Sequence, residues 1–167
     1  MIVVACDPGK TGAVVAVSQT DLDRYYIRAV FSLVGGDDLG TFGYDFNSIL
    51  FVYQYVSEND CQCIIELPQT RFKNSASSSQ VAGIGYAFAY CSLTAKGLPV
   101  AVQAQTWKRA LGLTGPGGSK EAKRRSIAAY KQKCINANGI QIKKPVSLDG
   151  LADAFNLGVY LLTKKGD

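Results

Sequence analysis

The sequence predicts an α/β fold, in which helices cover the faces of a mixed β-sheet. Short apolar or β-branched runs predict five strands, at 2–7, 13–17, 25–32, 61–67 and 99–103. Capping residues and helical spacing of apolar side chains predict helices at 45–59, 80–96 and 119–136, and a last one from Ser147. This order, βββαβαβα with a terminal helix, is typical of one sheet that contains both strand directions.

The N-terminal half starts with two apolar strands joined by a Pro- and Gly-rich turn at 8–12, a pattern that predicts a hairpin. The run 25–32 is aromatic and β-branched enough for a third strand, and the Gly- and Asp-rich segment 34–44 predicts a loop. Helical spacing over 45–59 is set by Phe46, Ile49, Leu50, Tyr53 and Val56. The short apolar run 61–67 follows that helix, so we expect a central strand parallel to the first.

The C-terminal half continues with a polar, serine-rich segment at 71–79, which predicts a loop. Residues 80–96 contain no proline and many small side chains, which indicates a long helix ended by Gly97. Ser119 is the expected N-cap of the next helix because an acid follows in its first turn. Ser147 is the expected N-cap of the last helix, whose apolar surface is wide.

The length and composition predict a globular protein with one domain, spanning 1–167. Hydrophobic residues make up 47% and charged residues 19%, and no apolar run approaches the roughly 20 residues that span a bilayer. The N-terminus lacks the pattern of a signal peptide. We therefore expect a cytoplasmic protein without a membrane partner, in a nucleoid or a phage-infected cell, or in an organelle matrix after removal of a transit peptide.

Two features of the composition restrict the chemistry. The chain has no histidine, so any hydrolysis must rely on carboxylates, a lysine or a metal. Its five cysteines form no CxxC pair, and we expect buried, reduced thiols.

Charge is unevenly distributed along the chain. Thirteen Lys or Arg and one acid lie between Arg71 and Lys144, whereas three bases and nine acids precede that stretch. A basic half beside an acidic half favours a face that binds a polyanion, although a merely solvated surface remains an alternative.

Four carboxylates interrupt or flank the apolar segments. Asp7 ends the first strand, Glu66 lies in the central strand, and Asp149 and Asp153 are four apart at the start of the last helix. Singly, each has an ordinary explanation, such as capping or a favourable helix N-terminus. Together they are the hard oxygen ligands that Mg²⁺ or Mn²⁺ prefers, so we expect one metal site.

Three motifs in this order resemble the RuvC family of Holliday junction resolvases, which has an RNase H-like fold. They are Asp7-Pro8-Gly9-x-x-Gly12 on the first hairpin, Ile64-Ile65-Glu66 ending a strand, and Asp149-x-x-x-Asp153-Ala154 opening the last helix. The resemblance covers nearly the whole chain. The last two acids are three apart in bacterial RuvC, so the four-residue spacing resembles the phage-like and plastid branches more closely. The turn at 115–118 also differs by its greater length.

The resemblance implies a metal-dependent endodeoxyribonuclease that makes paired nicks in four-way DNA junctions. Two metal ions held by Asp7, Glu66, Asp149 and Asp153 would activate a water and stabilise the leaving oxygen, leaving 5′-phosphate and 3′-hydroxyl ends. Lys120 would stabilise charge developing on the phosphate.

The resemblance also implies DNA contacts and a homodimer. The expected DNA contacts are Arg71, Phe72, Lys73, Gln105, Trp107, Lys108, Lys120, Lys123, Arg124 and Arg125. Phe72 either stacks on bases at the junction centre or packs under its own loop. The helix at 80–96 would carry the dimer interface; its small side chains at Ala82, Gly83, Gly85, Ala87 and Ala89 fit that role or packing on the sheet.

Two other interpretations remain open, and two more are disfavoured. An RNase H-like nuclease that cuts RNA would have the same metal site, and a non-catalytic binder of branched DNA would have the same fold. An actin-like ATPase shares a related phosphate loop, but it needs two such domains. A tyrosine recombinase is disfavoured because no tyrosine lies in an Arg/His cluster.

Overall fold

The computed structural model describes residues 1–9, 11–20, 23–33, 44–68, 76–141 and 146–164, with the side chains of 76–82 left out. The strands are β1 (Ile2–Cys6), β2 (Val14–Gln19), β3 (Tyr25–Phe31), β4 (Cys61–Leu67) and β5 (Val100–Gln103). The α-helices are α1 (Phe46–Glu58), α2 (Ala76–Ser92), α3 (Ala104–Ala110), α4 (Gly118–Lys133) and α5 (Leu148–Thr163). Within these ranges no helix is both long and apolar enough to cross a membrane.

The strands form one mixed sheet in the order β3-β2-β1-β4-β5. Antiparallel pairing joins β1 to β2 and β2 to β3, while β4 runs parallel to both β1 and β5. The predicted mixed sheet and its parallel central pair are therefore confirmed. Because β1 and β4 are central and parallel, the residues that follow them meet at the same end of the sheet.

Hydrophobic residues pack on both faces of the sheet, because alternate side chains of a strand point to opposite sides. In β1, Val3 and Ala5 contact one core, which includes α5, and Val4 and Cys6 contact the other, which includes α1. The helix α5 is buried along most of its length, which explains its nearly continuous apolar sequence.

Several predicted boundaries need correction. Helix α2 begins at Ala76, within the segment expected to be a loop, and ends at Ser92 before a short 3-10 turn. The seven-residue helix α3 was not expected, since it is too short to show a clear apolar period.

The N-cap of α4 is also different from the prediction. It is Gly117 rather than Ser119, with φ of 102°, a left-handed conformation that favours glycine. A Cβ at Gly117 would lie 2.4 Å from the side chain of Glu121, so the close approach also requires glycine.

All five cysteines are free thiols, as expected, but their burial varies. Cys6 and Cys134 are buried, Cys61 and Cys63 are partly exposed, and Cys91 is exposed. The expectation of buried thiols is therefore confirmed for Cys6 and Cys134, met only in part for Cys61 and Cys63, and wrong for Cys91.

Candidate active site

The first two carboxylates lie side by side at one end of the sheet. Cys6, the last residue of β1, pairs with Ile65 of β4, so Asp7 follows directly beside Glu66. The Asp7 backbone N–H donates to the carbonyl of Ala13 at 3.0 Å, which anchors the residue where the hairpin turn begins. The parallel pairing therefore positions both acids without help from a flexible loop.

The N-terminus of α5 is fixed against the same hairpin turn. Ser147 caps the helix, because its Oγ accepts from the Gly150 N–H, and its own backbone N–H donates to the Thr11 carbonyl at 2.9 Å. A Cβ on Gly150 would lie 2.2 Å from the Thr11 carbonyl oxygen, so only glycine allows this approach. This packing brings Asp149 and Asp153 to the end of the sheet that carries the first two acids.

Two lysines form ion pairs with the acids of α5. Lys108 Nζ lies 2.8 Å from Asp153 Oδ2, and their side chains are only 22% and 19% exposed. Lys123 pairs with Asp149, but the lysine side chain is 61% exposed. The first pair is thus the better shielded from solvent, and the second lies at the surface.

Two of the carboxylates accept hydrogen bonds from buried side chains. Trp107 Nε1 donates to Glu66 Oε2 at 2.8 Å, and the Trp107 side chain is fully buried. The hydroxyl of buried Ser126 donates to Asp153 Oδ1, and Asn156 Nδ2 donates to both the carbonyl and the hydroxyl of Ser126 at 2.9 Å. Sequence reasoning missed Ser126 and Asn156, although Asn156 is a lone polar residue in an apolar run one turn after Asp153.

Burial and neighbouring negative charge raise the pKa of the first two acids. Desolvation is the main cause that raises the pKa of Asp7 to about 6, opposed by a hydrogen bond from the Gly9 N–H and reinforced by Asp153 and Asp149. Desolvation likewise raises the pKa of Glu66 to about 7, and the charge of Asp7 adds to it. This end of the sheet therefore carries negative charge that its surroundings do not fully stabilise.

The pKa of Asp149 is shifted in the opposite direction. The hydrogen bond from Lys123 is the main cause that lowers the pKa of Asp149, and the same bond raises the pKa of Lys123. Both shifts favour the charged forms, so this pair is stable as an ion pair near neutral pH.

The donor set fits a divalent metal by its chemistry. Carboxylate oxygens are the ligands that Mg²⁺ and Mn²⁺ prefer, and the raised pKa of Asp7 and Glu66 reflects negative charge that a cation would stabilise. Among the described residues, no three acidic or thiol side chains are grouped closely enough to hold one ion in this conformation. Asp149 and Asp153 contact lysines instead, so binding of a metal by these two acids would require the lysines to move.

The residues expected to contact DNA lie in different environments. Gln105, Lys120 and Lys123 are exposed, and Lys120 is three residues before Lys123 on the same face of α4. Arg124 is also exposed, and it pairs with Glu121 at 2.6 Å within the first turns of the helix. These four side chains are accessible to a phosphate backbone.

Two of the expected DNA contacts have structural roles. Trp107 is fully buried under Glu66, so it offers no surface on which a base could stack. Arg125 donates to the backbone carbonyls of Leu113, Pro116 and Gly115, at 2.9, 3.0 and 3.2 Å, which braces the turn before α4. Direct DNA contact by either residue is therefore not supported by its position.

The remaining sequence predictions concern the segment after β4. Arg71, Phe72 and Lys73 lie outside the described residues, as does most of the segment predicted to be a loop at 34–44. The small residues of α2 separate into two faces. Gly85 and Ala89 are buried, the former against the Tyr44 ring, whereas Gly83 and Ala87 are exposed and the side chain of Ala82 is not described.

Comparison with solved structures identifies RuvC proteins as structural neighbours. A structure described as T. thermophilus RuvC in complex with Holliday junction substrate matches with a TM-score of 0.60 and 16% identity, over 99% of this chain and 96% of the other. A second Thermus thermophilus RuvC structure matches with a TM-score of 0.53 and 16% identity, over 99% and 97%.

Sequence comparison adds nothing to this result. No protein-family model matches the chain, and no curated protein matches its sequence. At 16% identity the structural likeness establishes the fold alone. The mixed five-stranded sheet with its flanking helices is the RNase H-like fold that these RuvC structures share.

Proposed function

We propose that this protein is a Holliday junction resolvase, an endodeoxyribonuclease that nicks four-way DNA junctions in pairs. The observation that carries the proposal is that Asp7, Glu66, Asp149 and Asp153, from two parallel strands and one helix, all lie at the same end of an RNase H-like sheet. The match to a RuvC structure with a junction substrate supports the same substrate class.

The four carboxylates are proposed to bind two Mg²⁺ or Mn²⁺ ions. When bound, such ions would supply a water of lowered pKa and stabilise the leaving oxygen of the phosphodiester. Asp7, directly after β1, and Glu66, in β4, would form one side of the site, and the two acids of α5 would form the other. Attack by water on the phosphorus with departure of the 3′ oxygen would leave a 5′-phosphate and a 3′-hydroxyl.

The lysines next to the acids are proposed to receive the DNA backbone. Lys108 and Lys123 place ammonium groups at the carboxylates, so they can exchange a carboxylate for a phosphate when DNA binds. Lys120, one helical turn before Lys123 and exposed, is placed to stabilise charge on the phosphate. Such contacts read the backbone and carry no base specificity.

We propose a homodimer as the active form, since a four-way junction has two-fold symmetry and two opposed nicks require two active sites. The exposed face of α2 that contains Gly83 and Ala87 supports this arrangement, because small side chains let helices approach closely. Gly85 and Ala89 pack inward and are not available to a partner.

A gel assay tests the proposal. The purified protein is incubated with a four-way junction, a linear duplex and an RNA–DNA hybrid, each with and without Mg²⁺. We expect Mg²⁺-dependent paired nicks in the junction only. Asp7→Asn, Glu66→Gln and Asp149→Asn should abolish cleavage but keep or strengthen junction binding, because each removes charge that repels phosphate.

The matched control is Asp60→Asn, which removes an exposed acid just before β4 and should cut as the natural protein does. Normal turnover by any of the three site variants would contradict the assignment of the site. If the protein cuts the RNA–DNA hybrid in preference to the junction, then its substrate is RNA and the assignment as a junction resolvase is wrong.

A further inference from the structure

The buried residues behind the carboxylates form two separate contacts to the proposed metal site. Trp107 lies on α3 and reaches Glu66 on β4, and Ser126 lies on α4 and reaches Asp153 on α5. Each contact joins residues that are far apart in the chain, 41 and 27 positions respectively. Both therefore depend on the packing of α3 and α4 against the sheet and α5.

The direction of each hydrogen bond is determined by chemistry. An indole Nε1–H can only donate, so Trp107 stabilises a Glu66 oxygen as an acceptor. The Ser126 carbonyl can only accept, which fixes Nδ2 of Asn156 as the donor to it. Asn156 Nδ2 also donates to the Ser126 hydroxyl, so the hydroxyl hydrogen is directed to Asp153.

Asn156 is an unfavourable choice for stability alone. It is 1% exposed within an apolar helix, and among the described residues its Oδ1 has no hydrogen-bond partner. A buried, unsatisfied oxygen costs free energy, and an apolar side chain of similar size would avoid that cost. A polar residue at a buried position where one of its atoms has no hydrogen-bond partner is typical of a functional constraint.

The contacts also leave each carboxylate one oxygen for other ligands. Trp107 occupies Oε2 of Glu66, and Ser126 occupies Oδ1 of Asp153. The other oxygen of Asp153 accepts from Lys108, whose long side chain would have to rotate away before that oxygen could bind another ligand. A carboxylate held by one oxygen keeps a fixed rotamer while the second oxygen changes partners.

We propose that Trp107, Ser126 and Asn156 are positioning residues, which orient the Glu66 and Asp153 carboxylates for a divalent cation. This inference rests on the proposed function, since it assigns the same site a supporting layer of residues. Outer contacts of this kind commonly change metal affinity by about 10- to 100-fold when they are removed.

Mn²⁺ binding, measured by titration calorimetry without DNA, tests the proposal independently of cleavage. We expect Trp107→Phe, Ser126→Ala and Asn156→Leu each to weaken Mn²⁺ binding by about tenfold or more. Asn156→Leu is the sharpest variant, because loss of the two Nδ2 hydrogen bonds and removal of the unsatisfied Oδ1 should roughly cancel in the melting temperature while metal binding weakens. A merely structural role would lower both together.

The matched control is Ser92→Ala, which removes another buried helical serine whose hydroxyl bonds to Ala89, away from the carboxylates. It should bind Mn²⁺ as the natural protein does. Asp7→Asn serves as the control for the site itself. If Asp7→Asn loses Mn²⁺ binding but all three positioning variants keep it, the inference is wrong and the proposed function stands. If the natural protein and Asp7→Asn both fail to bind Mn²⁺, the proposed function is wrong as well.

A second measurement uses the single tryptophan of the chain, which gives one indole Nε1–H signal in a ¹⁵N correlation spectrum. Because that N–H contacts Glu66, we expect Mg²⁺ to shift the signal in the natural protein and not in Glu66→Gln. An indole signal that stays unchanged while calorimetry shows Mg²⁺ bound would overturn the role of Trp107, whether or not Trp107→Phe folds.

Discussion

Replacing Asp7 by Asn should stabilise the metal-free protein at neutral pH, although it removes a residue that the proposed chemistry needs. The Asp7 carboxylate is desolvated and close to other acids, so its charge opposes folding. Asparagine keeps an Oδ1 that accepts from the Gly9 N–H, now 3.0 Å from the Asp7 oxygen. The substitution therefore removes the charge and keeps the local hydrogen bond.

The size of the effect follows from the pKa of Asp7. Its rise from 3.8 to about 6 corresponds to roughly 3 kcal/mol at about 1.4 kcal/mol per unit, an upper limit because solvent screens part of the interaction. We expect a gain of about 1–2 kcal/mol in the free energy of unfolding at about pH 8.

The gain in the free energy of unfolding caused by Asp7→Asn should increase as the pH rises. Between pH 3.8 and about 6 the folded state keeps the Asp7 proton that the unfolded state has lost. The free energy of unfolding therefore falls as pH rises through this window, and it does so less in Asp7→Asn. Because the pKa of Glu66 is raised to about 7, the free energy of unfolding should continue to fall up to about pH 7 in both proteins.

Urea denaturation in EDTA, followed by the fluorescence of Trp107, measures this difference at about pH 4.5 and about pH 8. Asp149→Asn is the control of opposite sign. Its pKa is lowered by Lys123, so neutralising it should cost up to about 1 kcal/mol near neutral pH. The electrostatic reasoning would be refuted if Asp7→Asn and the natural protein were equally stable at about pH 8. A gain in stability of the same size at both pH values would refute it as well.

Three further predictions concern the lysines, the dimer and the helix contact. Lys123→Gln should strengthen Mn²⁺ binding without DNA by up to about fivefold, because the lysine no longer competes with the metal for the Asp149 carboxylate. The control Lys131→Gln, at another exposed position of α4, should leave Mn²⁺ binding unchanged. Ala87→Arg should yield monomers in sedimentation, unlike Ala128→Arg, whose exposed position lies on α4. Gly150→Ala should lower the melting temperature by several degrees, because its Cβ overlaps a backbone carbonyl; an unchanged value would contradict that packing.

The carboxylates could be selected from the sequence because each one interrupts or flanks an apolar segment. Asp7 and Glu66 end or break apolar strands, and Asp149 and Asp153 share a face of a helix. Parallel pairing of the two strands then requires the first two acids to be neighbours. Local pattern and strand order are sufficient to place Asp7 and Glu66 together, whereas the position of Asp149 and Asp153 depends also on the packing of α5 against the hairpin turn.

The supporting residues were not predictable in the same way. The family resemblance implied a DNA contact for Trp107, but the unexpected helix α3 turns its side chain inward. Ser126 and Asn156 meet across 30 positions through the packing of α4 on α5. Such contacts depend on the relative rotation of two helices, which sequence periodicity leaves open to within a residue or two.

The unequal charge distribution of the sequence also has a more specific meaning in the folded protein. Part of the basic C-terminal half folds back on the acids: α3 supplies Lys108 and α4 supplies Lys123. The same two helices supply the buried donors Trp107 and Ser126. Each helix thus provides one lysine and one buried donor to the site. If the site binds a divalent cation as proposed, that cation would displace the lysines from the carboxylates and free them for phosphate, so cation and nucleic acid should each favour binding of the other.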